Sequence, residues 1–307
     1  MTTKNNKLFI LRFLLPGIIV LLCIYCYPVL RTISMSFFDT AKPSTPISEW
    51  HFTGLTNYKE LFGSRDFMRA YFNSIRYLLF GGFLVVTISI LLGAALSNKA
   101  RMPGRSTFKT LIYMPKMMSA IAIGNAFTYY VFQEEFGLLT TIWKWFGAQP
   151  IGWMTGDTKF YSMVIAVIFT GAGYYMMLMT AGIEGIPDDI YEAAMLDGAG
   201  PVQKFFHITL PLMKGTIRTI VTFWSIGAMG MYTWNVVFSP RSMESSTISP
   251  VILMYGVVFG NALGDSNGAV SETSAGLGAA IGVLTALSVQ IIYTISNKLL
   301  KSDDLEF

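Results

Sequence analysis

The chain has 307 residues, of which 53% are hydrophobic and only 13% charged, and its mean hydropathy is +0.51. Soluble domains carry roughly a quarter charged residues, so this composition excludes an ordinary soluble enzyme and describes a polytopic membrane protein. The net charge of +4 does not imply a nucleic-acid partner, and the only two cysteines, Cys23 and Cys26, share one apolar stretch, which rules out a disulfide framework or a four-ligand zinc site within the chain.

Six stretches are long and apolar enough to cross roughly 30 Å of hydrocarbon, for which about 20 helical residues suffice. They are residues 13–37, 72–96, 111–132, 161–183, 216–238 and 277–295. The expected fold is therefore all-α with six transmembrane helices: a short tail over 1–12, a membrane domain over 13–298 and a second tail over 299–307. Lys4, Lys7 and Arg12 precede the first span as they would in a signal peptide, but the apolar run is too long and has no small-residue cleavage site, so it is expected to remain as a membrane helix.

Charge in the short loops sets the orientation. Residues 98–110 hold Lys99, Arg101, Arg105 and Lys109, whereas the longer 239–275 holds only Arg241. The dense loop is assigned to the cytoplasm, and both termini follow it there. The external segment 39–71 is expected to form an amphipathic piece at the interface. The segment 134–159, with Trp143, Trp145 and Trp153, reads equally as an aromatic belt or as a docking surface for a solute receptor. In 239–274, residues 251–259 are apolar but too short to span, which suits a loop or short re-entrant helix. Arg31, Arg76 and Lys116 fall near span ends, where long basic side chains snorkel to the interface.

One segment between spans, residues 184–215, has a soluble-looking logic of its own. Asp188 and Asp189 follow Pro187 and suit the cap of a helix from about Ile190, with Glu192 placed as in a capping box. Gly198 and Gly200 end that helix, Pro201 opens a second one at its first turn, and Pro211 is expected to break it.

The register Glu192-Ala193-Ala194, then Gly198, then Ile208-Thr209-Leu210-Pro211 resembles the cytoplasmic coupling loop of the membrane subunits of bacterial ABC importers. Gly54-Leu55-Thr56-Asn57-Tyr58, Phe108-Lys109-Thr110-Leu111-Ile112-Tyr113-Met114-Pro115 and Ala181-Gly182-Ile183-Glu184-Gly185-Ile186-Pro187 are similar to the carbohydrate-uptake branch that contains the larger maltose-transporter membrane subunit. The likeness runs from about residue 16 to 298. It implies the permease architecture of a type I ABC importer in a bacterial plasma membrane. It also implies a second homologous permease, two ATPase subunits carrying ATP and Mg, and an extracellular solute-binding protein, with lipid around the spans. By the same resemblance Glu192, Ala193, Ala194, Met195, Leu196, Asp197 and Gly198 contact the ATPase. Residues 239–244 depart from the Gly-rich turn ending in Pro that related carbohydrate permeases carry after the fifth helix.

No catalytic arrangement, nucleotide-binding loop or metal cluster is present in the sequence, so the chain is expected not to be an enzyme. The candidates for solute contact are polar and aromatic residues of the third to fifth spans: Asn125, Tyr129, Tyr174, Tyr175, Trp224, Tyr232 and Asn235. Flat rings and uncharged hydrogen-bonding groups suit the alternating faces and edges of a neutral sugar. Tyr175, Trp224 and Asn235 are expected to line one cavity. A polyol or glycerophosphodiester importer is the alternative, and a secondary transporter is disfavoured because no ionisable residue is evident at mid-depth.

Overall fold

The structure, a computed structural model, describes residues 3–97, 102–149, 151–239, 244–260 and 273–300, with side chains from residue 9 onward. Lys99, Arg101, Arg241 and the tail beyond residue 300 therefore lie outside the described residues, as does most of 261–274.

Among the described residues, four helices are long and apolar enough to cross a membrane. The first, α1, is a continuous rod built from Thr3–Val20, a π-turn over Leu21–Cys26 and Tyr27–Met35, and none of its apolar window is buried within the chain. A small antiparallel hairpin follows, with β1 (Phe38–Asp39) paired to β2 (His51–Phe52). Then comes the short helix α2 (Thr56–Gly63). The Asn57 amide donates to the carbonyls of Ser36 and Phe38, at 2.9 and 3.0 Å, and Tyr58 donates to Ser36 Oγ at 2.8 Å, so this piece is fastened to the C-terminal end of α1. Its Leu61 is buried beneath the surface.

The second spanning helix, α3 (Arg65–Leu96), starts seven residues before the predicted span because Ser64 caps it, accepting from the Phe67 amide, and Asp66 sits in its first turn. The centre of the molecule is α7 (Thr158–Glu184), whose apolar window is 61% buried. Phe160, Met163, Val164, Ala166, Met176 and Met179 of this helix are all closed off from the surface. The last spanning helix, α13 (Ala275–Leu299), packs Ala280 and Ile281 against the outer half of α3 and the short helix α12 (Pro250–Phe259).

Two of the six predicted spans are interrupted. The third consists of α4 (Arg105–Met117) and α5 (Ala120–Ala126), the latter running on through a π-turn at Phe127–Val131. Between them Met118 and Ser119 are extended, with φ/ψ of −84/155° and −60/130°. Pro115 lies one turn before the break and lacks the amide that would bond to Leu111, so the last turn of α4 is already weakened. The fifth span is α10 (Lys214–Met229) and α11 (Thr233–Phe238), separated at Gly230–Tyr232. Hydropathy alone does not reveal such breaks, because they are only two or three residues long and carry no charge. Between the third and fourth spans, α6 (Leu138–Trp145) leaves Trp145 and Phe146 exposed, while Trp143 meets Trp153 edge to face at 6.1 Å.

α4 lies against α7 so closely that a Cβ at Gly173 would collide with the Ile112 carbonyl oxygen and approach Tyr113 Cα to 2.7 Å. Both obstacles are backbone, so relief requires moving a helix. Gly173→Ala is therefore expected to destabilise the fold by about 1–3 kcal/mol, and Gly63→Ala, where nothing lies within 4 Å, to leave it unchanged. Thermal unfolding of the purified protein followed by size-exclusion checks this; equal melting of the two variants would contradict the packing.

Candidate functional site

Two regions carry the candidate residues, a hairpin at the end of α7 and an open face beside the helix breaks. In the hairpin, α8 (Asp188–Leu196) begins two residues earlier than expected. Pro187 occupies the cap position, and no side chain caps the helix. Asp188 and Asp189 lie in the first turn, where their charge favours the positive end of the helix dipole. Gly198 has φ +78°, as the turn requires. Its amide bonds to the Met195 carbonyl at 3.1 Å and the Ala199 amide to the Ala194 carbonyl at 2.8 Å, the paired bonds of a Schellman stop.

The returning helix, α9, starts with Pro201 at its first position, runs through Lys204, takes a π-turn over Phe205–Thr209 and ends with Leu210–Leu212. Pro211 does not break it where expected: the helix continues past the proline to Leu212, and α10 follows after Met213 alone. Gln203 accepts from the Gly200 amide at 2.9 Å and so ties down the entry turn.

The hairpin is rigidly joined to the membrane domain. Tyr191 and Thr209 share a hydroxyl hydrogen bond of 2.9 Å between its two arms, and Ile186, Ile190, Tyr191, Leu212 and Met213 pack into the main core. Beside it, Lys109 of α4 pairs with Glu184 at 3.0 Å. The tip is bare. Leu196 is 91% exposed, and Met195, Val202 and Phe206 are also exposed beside Glu192 and Ala193. Four apolar side chains in one exposed stretch outside the spans mark a contact surface.

The second region begins at the break in the third span. Residues Lys116, Met117, Met118 and Ser119 are all exposed there. One turn further, a cavity of about 310 Å³ is lined by Ile121, Asn125 and Tyr129 from the third span and by Tyr232, Thr233, Val236 and Val237 from α11. Of the seven proposed solute contacts the structure brings together Asn125, Tyr129 and Tyr232. The helical spacing of four from Asn125 runs back to Ile121 and on to Tyr129, a signal in the sequence that would have added Ile121.

The other four stand elsewhere, and the expectation that Tyr175, Trp224 and Asn235 share one cavity is not met. Trp224 is only 4% exposed; its indole donates to the Leu78 carbonyl at 3.1 Å, stacks on Tyr77 at 4.8 Å and meets Tyr175 edge-on at 6.1 Å. Tyr174 joins this aromatic group through Tyr175 and Phe223. These rings hold α3, α7 and α10 together. Asn235 is buried and donates to the Thr247 carbonyl. The segment it holds is also bound by Asn73, which donates to the Ser245 and Ile248 carbonyls at 3.0 Å each, and by Lys159, whose ammonium reaches Glu244 at 2.6 and 2.7 Å. The sequence departure after the fifth span thus ends in a latched loop; residues 240–243 within it lie outside the described residues.

Lys116 stands beside the middle of α7. Its ammonium lies 5.6 Å from the Tyr174 ring centre, and Tyr174 is ten residues from the Glu184 end of that helix, about 15 Å at 1.5 Å per residue.

Comparison with known proteins agrees with the architecture. The permease protein AraP of the arabinooligosaccharides transport system of Bacillus subtilis (strain 168) is 27% identical, with 94% of this chain and 87% of that protein covered. The trehalose/maltose transport system permease protein MalF of Thermococcus litoralis is 28% identical over 91% of this chain and 90% of its own. The probable ABC transporter permease protein YurN of Bacillus subtilis (strain 168) is 32% identical over 75% of this chain and 78% of its own. A crystal structure of a bacterial alginate ABC transporter in complex with an alginate pentasaccharide-bound periplasmic protein contains a chain of the same fold, with a TM-score of 0.75, 20% identity and coverage of 96% and 94%. Residues 73–302 match the family described as the binding-protein-dependent transport system inner membrane component. The chain belongs to that family: it is a membrane-spanning permease subunit of an ABC transporter, not an enzyme.

Proposed function

We propose that this permease forms half of the translocation pathway of an ATP-driven importer for a sugar or oligosaccharide. An extracellular binding protein delivers the solute, a second homologous permease completes the pathway, and two ATPase subunits bind the hairpins of the two permeases. The observation that carries the reading is the bare hairpin of α8 and α9, fused without slack to α7 on one side and α10 on the other. A load applied to its tip is transmitted through the Tyr191–Thr209 bond and the core packing to both helices. That AraP and MalF are permeases of an arabinooligosaccharides and a trehalose/maltose transport system favours a carbohydrate over a polyol. Membership of a binding-protein-dependent family leaves a self-sufficient secondary transporter without support.

At the tip, Leu196 and Met195 supply apolar anchors, Ala193 and Ala194 permit close approach, and Glu192 offers a charge to a basic rim. Gly198 fixes the direction of the chain leaving the helix. Loop charge supports a cytoplasmic hairpin and an external α6. In Gly198→Val a side chain in the left-handed conformation costs about 1–2 kcal/mol and misdirects α9. Reconstituted complexes bearing Gly198→Val or Glu192→Lys are expected to assemble in the membrane yet lose receptor-stimulated ATP hydrolysis, and an impermeant thiol reagent on intact cells is expected to label Ala148→Cys but not Asp197→Cys. Wild-type stimulation in both coupling variants, or the reverse labelling pattern, rejects this assignment.

The cavity beside Asn125, Tyr129 and Tyr232 is the part of the pathway that this subunit contributes. Two phenol rings offer faces for sugar C–H groups, and Asn125 and Thr233 offer hydrogen bonds to hydroxyls. Each hydrogen bond lost is worth on the order of 1 kcal/mol, so Asn125→Ala and Tyr232→Ala are expected to weaken uptake severalfold. Trp224→Ala is expected to reduce the amount of folded complex instead, because its ring closes the core. Transport assays normalised to complex content separate the two, and unchanged uptake in both cavity variants rules the site out.

A further inference from the structure

The apolar spans of this chain contain no carboxylate. No Asp or Glu occurs between Asp39 and the start of the chain, between Asp66 and Glu134, between Asp157 and Glu184, between Asp197 and Glu244, or between residue 273 and Asp303. Lys116 nevertheless places an exposed ammonium group against the Tyr174 ring, beside the middle of the spanning helix α7, with no acceptor within hydrogen-bond reach among the described residues. Glu184, the carboxylate below it, is paired with Lys109 at 3.0 Å and lies about 15 Å away along α7. No carboxylate of the described residues balances Lys116, which points to a counter-charge from outside them.

The surroundings say where from. Extended backbone at membrane depth is tolerated beside water or within protein, not against lipid, and Lys116 directly precedes the exposed extended residues Met118 and Ser119. The cavity over Asn125 and Tyr129 opens one turn above. Ionisable groups in such a position mark solute pathways. Building on the sugar-importer reading, we infer that Lys116 selects the charge of the solute, and that the cargo is an acidic glycan, a sugar or short oligosaccharide bearing a carboxylate such as a uronate. Asn125, Tyr129 and Tyr232 hold its hydroxyls and ring faces, while Lys116 meets the acid group as the solute passes the break. A charge-assisted hydrogen bond is stronger than a neutral one, which makes a lysine here favourable to an anionic cargo over a neutral one.

The test uses the complete importer with its own binding protein. That protein is first screened against neutral and uronate-containing oligosaccharides, and uptake of the best-bound glycan and of its carboxyl-reduced, neutral analogue is then measured in proteoliposomes. The best-bound glycan is expected to be acidic. Lys116→Gln is expected to slow its uptake about tenfold while carrying the reduced analogue at least as well as wild type does, and Lys116→Arg is expected to restore acid uptake. A neutral best-bound glycan, or equal acid uptake in Lys116→Gln and wild type, overturns the inference and leaves the importer assignment standing. So does loss of both uptakes in Lys116→Gln together with loss of permease pairing, which would mean that a carboxylate of the second permease faces Lys116. Failure to bind any glycan rejects the sugar reading itself.

Discussion

Lipid offers no hydrogen bonds, and that single constraint decides how this chain can be used. Every backbone amide and carbonyl in the hydrocarbon layer must find a partner within the protein or in trapped water. α1, α3, α7 and α13 meet the requirement as uninterrupted helices. The third and fifth spans do not, since each opens its backbone partway across, at Met118–Ser119 and at Gly230–Tyr232. Unbroken helices can face lipid anywhere along their length, whereas broken ones must face something wet or proteinaceous. On the importer reading proposed above, the breaks mark the side of the subunit that faces the pathway, and the cavity lined by α5 and α11 lies beside them.

The rest of the molecule supports those two broken spans. α7 is buried along most of its length and serves as the post against which α3, α4 and α10 pack. The Gly173 contact sets α4 at backbone distance from it, and the Trp224, Tyr77 and Tyr175 rings fill the junction with α10. The hairpin grows from the same post, which under the proposed coupling is the route by which movement of its tip would reach the third and fifth spans. At the outer end the loop from Glu244 to Ser249 is held by Lys159, Asn73, Asn235 and Ser249, the last donating to the Met231 carbonyl at 2.7 Å beside the second break. The segment following the fifth span is thereby fixed to three different helices.

Much of this was legible in the sequence. Long apolar runs announce spans because roughly 20 residues of unbroken hydropathy have few other uses. The register from Glu192 to Pro211 announced the hairpin, and the left-handed Gly198 is the conformation its position called for. The breaks were not legible, because Met118, Ser119 and Met231 do not interrupt hydropathy. Nor was the setting of Lys116: counted from the edge of a predicted span it lies near the end, yet the crossing of α4 over α7 sets it beside Tyr174, near the middle of that helix. Tyr175, Trp224 and Asn235 were read as solute contacts from their chemistry, but chemistry alone does not say which face of a helix points inward. Their hydrogen bonds and stacking partners in the fold assign them to packing.

The central claim is that the break in the third span borders water and moves with the ATPase cycle. In an importer freed of Cys23 and Cys26, the rate at which a small water-soluble thiol reagent modifies Ser119→Cys tests it most directly, with Phe83→Cys, exposed on the unbroken helix α3, as the lipid-facing reference. The account predicts fast modification at 119, slow modification at 83, and a change at 119 alone when a non-hydrolysable ATP analogue is added. Equal and nucleotide-insensitive rates at the two positions would contradict it.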